Sequence, residues 1–256
     1  LVGFTMNAQL SSVTENSKTG QRLTVSDINN HGDIGSNAVD LSYSNSVSTT
    51  KGATGSSSIA MGQGTIASGL YSTAMGYLTT ASNRAGTAMG DRTTASAWYS
   101  TAMGTETTAS GSSSTAMGAS TTASGDMSTA MGFETTASGL YSTAMGTETT
   151  ASDYASLSIG TYNLVNSVVT TGGDANNFDT DNAAFVIGNG YNDGPGPVNS
   201  DAFVVYFNGN ATLAGDLTIN SDERLKDNIQ PLGSTLNKLH QIEGKTYSFK
   251  KDEEHT

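Results

Sequence analysis

Three sets of side chains in this 256-residue chain could carry chemistry. His31, His240 and His255 are its only imidazoles. Metal ligation or proton transfer needs partners at short, fixed spacing. These three are scattered singly, so the sequence predicts surface histidines. Asp174, Asp179 and Asp181 in "GGDANNFDTDN" supply oxygens of the kind that hold Ca²⁺. Their spacing completes no calcium-loop signature, so a solvated turn is expected. Glu106, Glu134 and Glu148 recur at one position of a repeat. A glycan hydrolase needs acids paired across a groove, whereas one acid repeated along a line reads as a solubilising edge. No metal and no cofactor is expected.

The aromatic residues are more suggestive. Tyr71, Tyr99 and Tyr141 share another repeat position, Leu70, Trp98 and Leu140 precede them, and Tyr154 lies nearby. Aromatic side chains combine a large apolar face with a polar tip, and sugar rings stack on such faces. Tyr71, Trp98, Tyr99, Tyr141 and Tyr154 therefore form a candidate glycan-binding ridge. The competing role for the same rings is to cover the seam between neighbouring chains.

What positions these residues is the repeat itself. Ala-Met-Gly falls at 60–62, 74–76, 88–90, 102–104, 116–118, 130–132 and 144–146, a period of 14 without a slip. "SIG" at 158–160 continues the register, "SVS" at 46–48 is expected to begin it, and a second motif places Ala67, Ala81, Ala95, Ala109, Ala123, Ala137 and Ala151 seven residues on. Two heptads could mean a coiled coil, but its seam needs large apolar residues every three to four positions. Here there is one Met per coil, with Gly and several Thr that disfavour helix. Collagen is excluded because Gly does not recur every third residue. Two short strands and two turns per coil, a β-solenoid, remain. Period-2 alternation then puts Ser72 and Ala74 on one face and Thr73 and Met75 on the other. Ser and Ala fill a narrow roll, while Met needs an apolar contact outside it. An exposed Met stripe is unfavourable for a soluble monomer. Three rolls about one axis would bury Met61, Met75, Met89, Met103, Met117, Met131 and Met145 as a trimer core, so an obligate homotrimer is expected.

Composition restricts the partners. The formal charge is −12 and the pI about 4.4, which argues against nucleic acid or an anionic membrane surface. There is no cysteine, hence no disulfide framework or thiolate metal site. No apolar run approaches the roughly 18 residues of a membrane span, and no signal peptide is visible. A chain opening on Leu1 reads as a fragment or a processed form.

The pattern S-x-A-x-G at this spacing, over about Ser42 to Asn166, resembles the head repeat of trimeric autotransporter adhesins such as YadA, where Ile usually stands at the Met position. The resemblance implies a left-handed parallel β-roll assembled as a trimer, and a role in adhesion. The membrane-anchoring barrel of those adhesins has no counterpart in this sequence. From Ser221, "SDERLKDNIQPLGSTLNKLHQIEGKTYSFK" is similar instead to the start of the endosialidase-type intramolecular chaperone, the self-cleaving C-terminal domain of phage tail spikes and fibres. That resemblance implies a Ser–Lys dyad at Ser221 and Lys226 cutting the Asn220–Ser221 bond. The chemistry is sound, because a desolvated neutral Lys can take the proton of a weakly nucleophilic hydroxyl. This copy of the domain is expected to be truncated at Thr256.

The expected organisation is a β-rich connector over 1–41, the roll over 42–166, a β-rich neck over 167–220 and the beginning of an α+β chaperone domain over 221–256. The fold class is all-β up to that domain, with appreciable helix only after Pro231. The expected function is an extracellular, non-enzymatic adhesive fibre on a virion tail or bacterial surface, binding a host or prey glycan or protein, with autocleavage as its only reaction. Two alternatives compete. Thr80, Thr94, Thr108, Thr122, Thr136 and Thr150 form a ladder like those of ice-binding solenoids, and a tail-spike depolymerase would need acid pairs that the repeats do not supply.

Overall fold

A computed structural model of the chain describes residues 10–24, 26–164 and 174–216, all within the first of two compact units, Leu1–Asp216. Each 14-residue coil contributes one five-residue strand and one two-residue strand, as in Thr73–Tyr77 and Thr80–Ala81. Every coil lays its strands beside those of the coil before, in parallel. Equivalent residues pair: Ala74 with Ala88, Met75 with Met89, and Thr80 with Thr94. The result is a parallel β-solenoid with a long-strand sheet, an eight-stranded short-strand sheet, and no α-helix among the described residues.

The interior is as narrow as the sequence implies. Ser72, Ala74, Thr79 and Ala81 of one coil are fully buried, as are their counterparts down the roll. Thr73, Met75 and Thr80 stand outward and half-buried. The glycine of the repeat is required twice over. Gly76 has φ +126, a conformation open to glycine and rare for other residues. A Cβ there would sit 2.0 Å from the Gly90 carbonyl oxygen of the next coil. Successive coils thus pass too close for any side chain at this point.

The ends of the roll depart from the repeat. "SVS" at 46–48 does not begin the register. The strand Val39–Tyr43 takes that place, with Leu41 opposite Met61, so the first coil is twenty residues long. The extra residues loop outward, leaving Val47 81% exposed, and Lys51 Nζ holds the loop through Ser44 Oγ at 3.0 Å and Ser46 Oγ at 2.8 Å. At the other end the strand Ala183–Asn189 pairs in parallel with Leu157–Thr161. The antiparallel strands Asp201–Tyr206 and Ala211–Leu213 follow it in the same sheet.

Charge closes the first end. Asp40 lies in register with Ala60, and Arg22 with Asp40, so the alanine column ends on a buried ion pair. Arg22 Nε lies 3.3 Å from Asp40 Oδ2, and its Nη1 lies 2.7 Å from Glu15 Oε1. His31, expected at the surface, is 6% exposed with Nδ1 at 3.1 Å from Asp40 Oδ2. A buried carboxylate needs partners, and His31 is recruited as one. His240 and His255 lie outside the described residues.

Candidate functional site

Each coil turns two corners, and both place a residue at positive φ, a non-glycine one everywhere in the repeat except Gly64. Tyr71, Tyr99 and Tyr141 do so at one corner, with φ of 60°, 57° and 63°; Glu106, Glu134 and Glu148 do so at the other, with φ of 56°, 53° and 49°. Such residues are uncommon, because Cβ crowds the backbone there. The solenoid holds them with hydrogen bonds that they donate to the coil before. Tyr99 N donates to Arg84 O at 2.9 Å, and Glu106 N donates to Asp91 O at 2.8 Å.

At the acidic corner the edge is partly neutralised. Arg92 reaches Glu106 at 2.8 Å and Asp91 at 3.2 Å. Glu148 accepts from the Tyr162 hydroxyl, and that bond is the chief reason the Tyr162 phenol titrates above its ordinary range.

At the aromatic corner the ridge divides in two. Toward the C-terminal end the rings contact one another while Tyr141 and Phe178 remain exposed: Tyr141 meets Tyr154 edge-on at 5.5 Å, Tyr154 meets Phe178 at 6.5 Å, and Phe178 meets Phe207 at 5.2 Å. Toward the N-terminal end Tyr71, Trp98 and Tyr99 are 56%, 57% and 54% exposed, with no ring contact among the described residues. Arg84 stands between them, exposed, in the register position of Trp98. Its place beside Trp98 was legible only from the 14-residue register. Asp174, Asp179 and Asp181 are spread over their own turn, where Asp174 Oδ1 accepts from Asn176 N at 2.8 Å and Asp179 Oδ1 from Asp181 N at 2.9 Å.

The outward face of the long sheet is the second surface. The Met ladder from Met61 to Met145 extends to Leu41 at one end and to Ile159, Ile187 and Phe203 at the other. Composition alone missed Leu41, Ile187 and Phe203. Ile187 carried a signal, since "VIG" at 186–188 lies two periods after "SIG" at 158–160. The stripe is therefore a property of the whole sheet and continues beyond the repeat.

Residues 53–79, 81–107, 109–135 and 137–163 match the YadA head domain repeat, two copies of the repeat per match. Residues 221–256 match the chaperone of endosialidase. No curated protein matches the chain. All four head-repeat matches lie within the solenoid. The chaperone match, with Ser221 and Lys226, lies outside the described residues. Among the described residues no helix is long and apolar enough to cross a membrane.

Proposed function

We propose that the chain is the subunit of a homotrimeric, extracellular fibre that attaches to a cell-surface glycan or protein, borne on a virion tail or a bacterial surface. The observation that carries this reading is the unbroken outward ladder from Leu41 through the seven repeat methionines to Ile159 and Ile187. An apolar stripe of that length on a roll filled only by Ala, Ser and Thr is unfavourable in water. Burying each such side chain between protomers contributes roughly 1.5–3 kcal/mol. The head-repeat matches point to the same assembly, and the chaperone match supplies a device for reaching it.

Light scattering and circular dichroism on the Met75, Met89, Met103 and Met117→Asp variant test the assembly. Wild type is expected as a trimer and the variant as unfolded or aggregated chains. A well-folded monomer from the variant overturns the trimer.

A second reading rests on the register of the short strands, which align Thr80, Thr94, Thr108, Thr122, Thr136 and Thr150 as a half-exposed ladder. Ice binding through that array predicts thermal hysteresis in a nanolitre osmometer, which the fibre reading does not.

A further inference from the structure

We propose that the open corner around Arg84 and Trp98 binds the carboxylate of an acidic sugar. The inference rests on the fibre reading and names the ligand class that its aromatic ridge takes. Arg84 and Trp98 occupy the same corner position of adjacent coils, so their backbones are about 4.8 Å apart, tied by the bond from Tyr99 N to Arg84 O at 2.9 Å. Tyr71 and Tyr99 flank the pair from the left-handed corner position. One arginine and three aromatic residues thus share one corner of three successive coils.

The charges set Arg84 apart. Of the three arginines among the described residues, Arg22 is held by Glu15 and Asp40, and Arg92 by Asp91 and Glu106. The Arg84 guanidinium makes no hydrogen bond or ion pair among the described residues. Corner residues 69–71, 83–85, 97–99 and 111–113 include no acid. Asp126 lies in register three coils away, about 14 Å, beyond the screening length of about 8 Å at physiological salt. Its Oδ1 already accepts from Ser112 N at 2.8 Å. On a chain of charge −12, an uncompensated cation among exposed rings adds nothing to solubility. It matches a ligand with an anionic group and an apolar face. A guanidinium fork pairs with a carboxylate through two parallel hydrogen bonds, and the Trp and Tyr faces take the C–H face of a pyranose. Neutral sugars would leave the fork unused, and a bare anion would leave the rings unused.

Trp98 is the only tryptophan, so its fluorescence in the full chain reports on this corner alone. Hexagalacturonate and its methyl ester form one pair of probes, and sialyllactose and lactose the other. A saturable change is expected with at least one acidic member, with its neutral counterpart about tenfold or more weaker. Response to the first pair alone identifies a hexuronate chain; response to the second alone identifies a terminal sialic acid. Arg84→Gln should abolish the preference for the acidic member, and Arg84→Lys should restore part of it, with the circular-dichroism spectrum unchanged in both. Equal binding of acid and ester, or Arg84→Gln binding as tightly as wild type, overturns the carboxylate site. A Trp98 that responds to no probe also overturns it. In that event a fibre that still adheres to cells leaves the fibre reading standing, and one that does not removes both.

Discussion

The side-chain amide of Asn163 pairs with both backbone polar groups of Thr150: Oδ1 accepts from Thr150 N at 2.6 Å, and Nδ2 donates to Thr150 O at 2.9 Å. In the coil before, Thr136 N donates to the backbone oxygen of Thr149 at 2.8 Å, and Asn163 is the residue 14 on from Thr149. One side chain therefore stands in for the next strand and closes the last edge of the short-strand sheet, where open edges invite pairing with other chains. Asn163→Ala should cost about 1–3 kcal/mol, because it leaves the part-buried Thr150 amide and carbonyl without their partner. Hydrogen exchange at the Thr150 amide should accelerate while the Thr94 amide, mid-roll, stays protected.

Within the roll, the hydroxyls of Thr65, Thr79, Thr93, Thr107, Thr121, Thr135 and Thr149 are buried without a hydrogen-bond partner. A buried hydroxyl so placed is unfavourable, and Val has the same shape without it. Thr107→Val is expected to raise stability by about 1 kcal/mol in chemical denaturation, reversing the usual sign for a core substitution. A loss of stability would mean that the hydroxyl is satisfied in solution.

The two ends should respond oppositely to acid. Burial pushes the Asp40 carboxyl up, but hydrogen bonds from His31 and Ser42, with the nearby His31 charge, outweigh it and hold the group below its ordinary range. Its contribution is present above the unfolded carboxyl value of about 3.9 and is lost as pH falls through the lower folded value. Asp153 is the reverse: burial raises it, only partly offset by the Ala183 amide and the Ser152 hydroxyl. The stability it contributes is present below the unfolded value and lost as pH rises through the raised folded one. The Ser42 amide, which donates to Asp40 Oδ1 at 3.0 Å, should lose protection relative to its intrinsic exchange rate as pH falls below about 3.9. The Ala183 amide, which donates to Asp153 Oδ2 at 2.9 Å, should not.

Maturation offers a further check. Shifting one protomer by a whole coil changes few contacts except at the ends, so a solenoid of near-identical coils is open to register error. A C-terminal domain that trimerises first would set the register, and its removal at Asn220–Ser221 would make assembly kinetically irreversible. Wild type should release a fragment beginning at Ser221 on a denaturing gel. Ser221→Ala and Lys226→Ala should stay intact yet trimerise. Processing of both variants as in wild type would remove the dyad assignment.

Periodicity alone determined the solenoid. A residue and its counterpart 14 positions on are neighbours across the ladder, so the repeat states its own contacts: Ala over Ala inside, Met over Met outside, Gly over Gly where the coils touch. What does not repeat was left to the tertiary structure. Leu41 joins the ladder across twenty residues and Ile187 across twenty-eight, and no local pattern announces the first of these. His31 reads as a surface residue until the fold brings the Asp40 carboxylate beside it. Tyr141 and Tyr99 are equivalent by register, yet Tyr154 gives Tyr141 a ring partner that Tyr99 lacks among the described residues. The physical reason is the same throughout. A repeating coil needs only its neighbours' geometry, whereas an end must satisfy bare strand edges and buried charge with whatever side chains the rest of the chain folds back to supply.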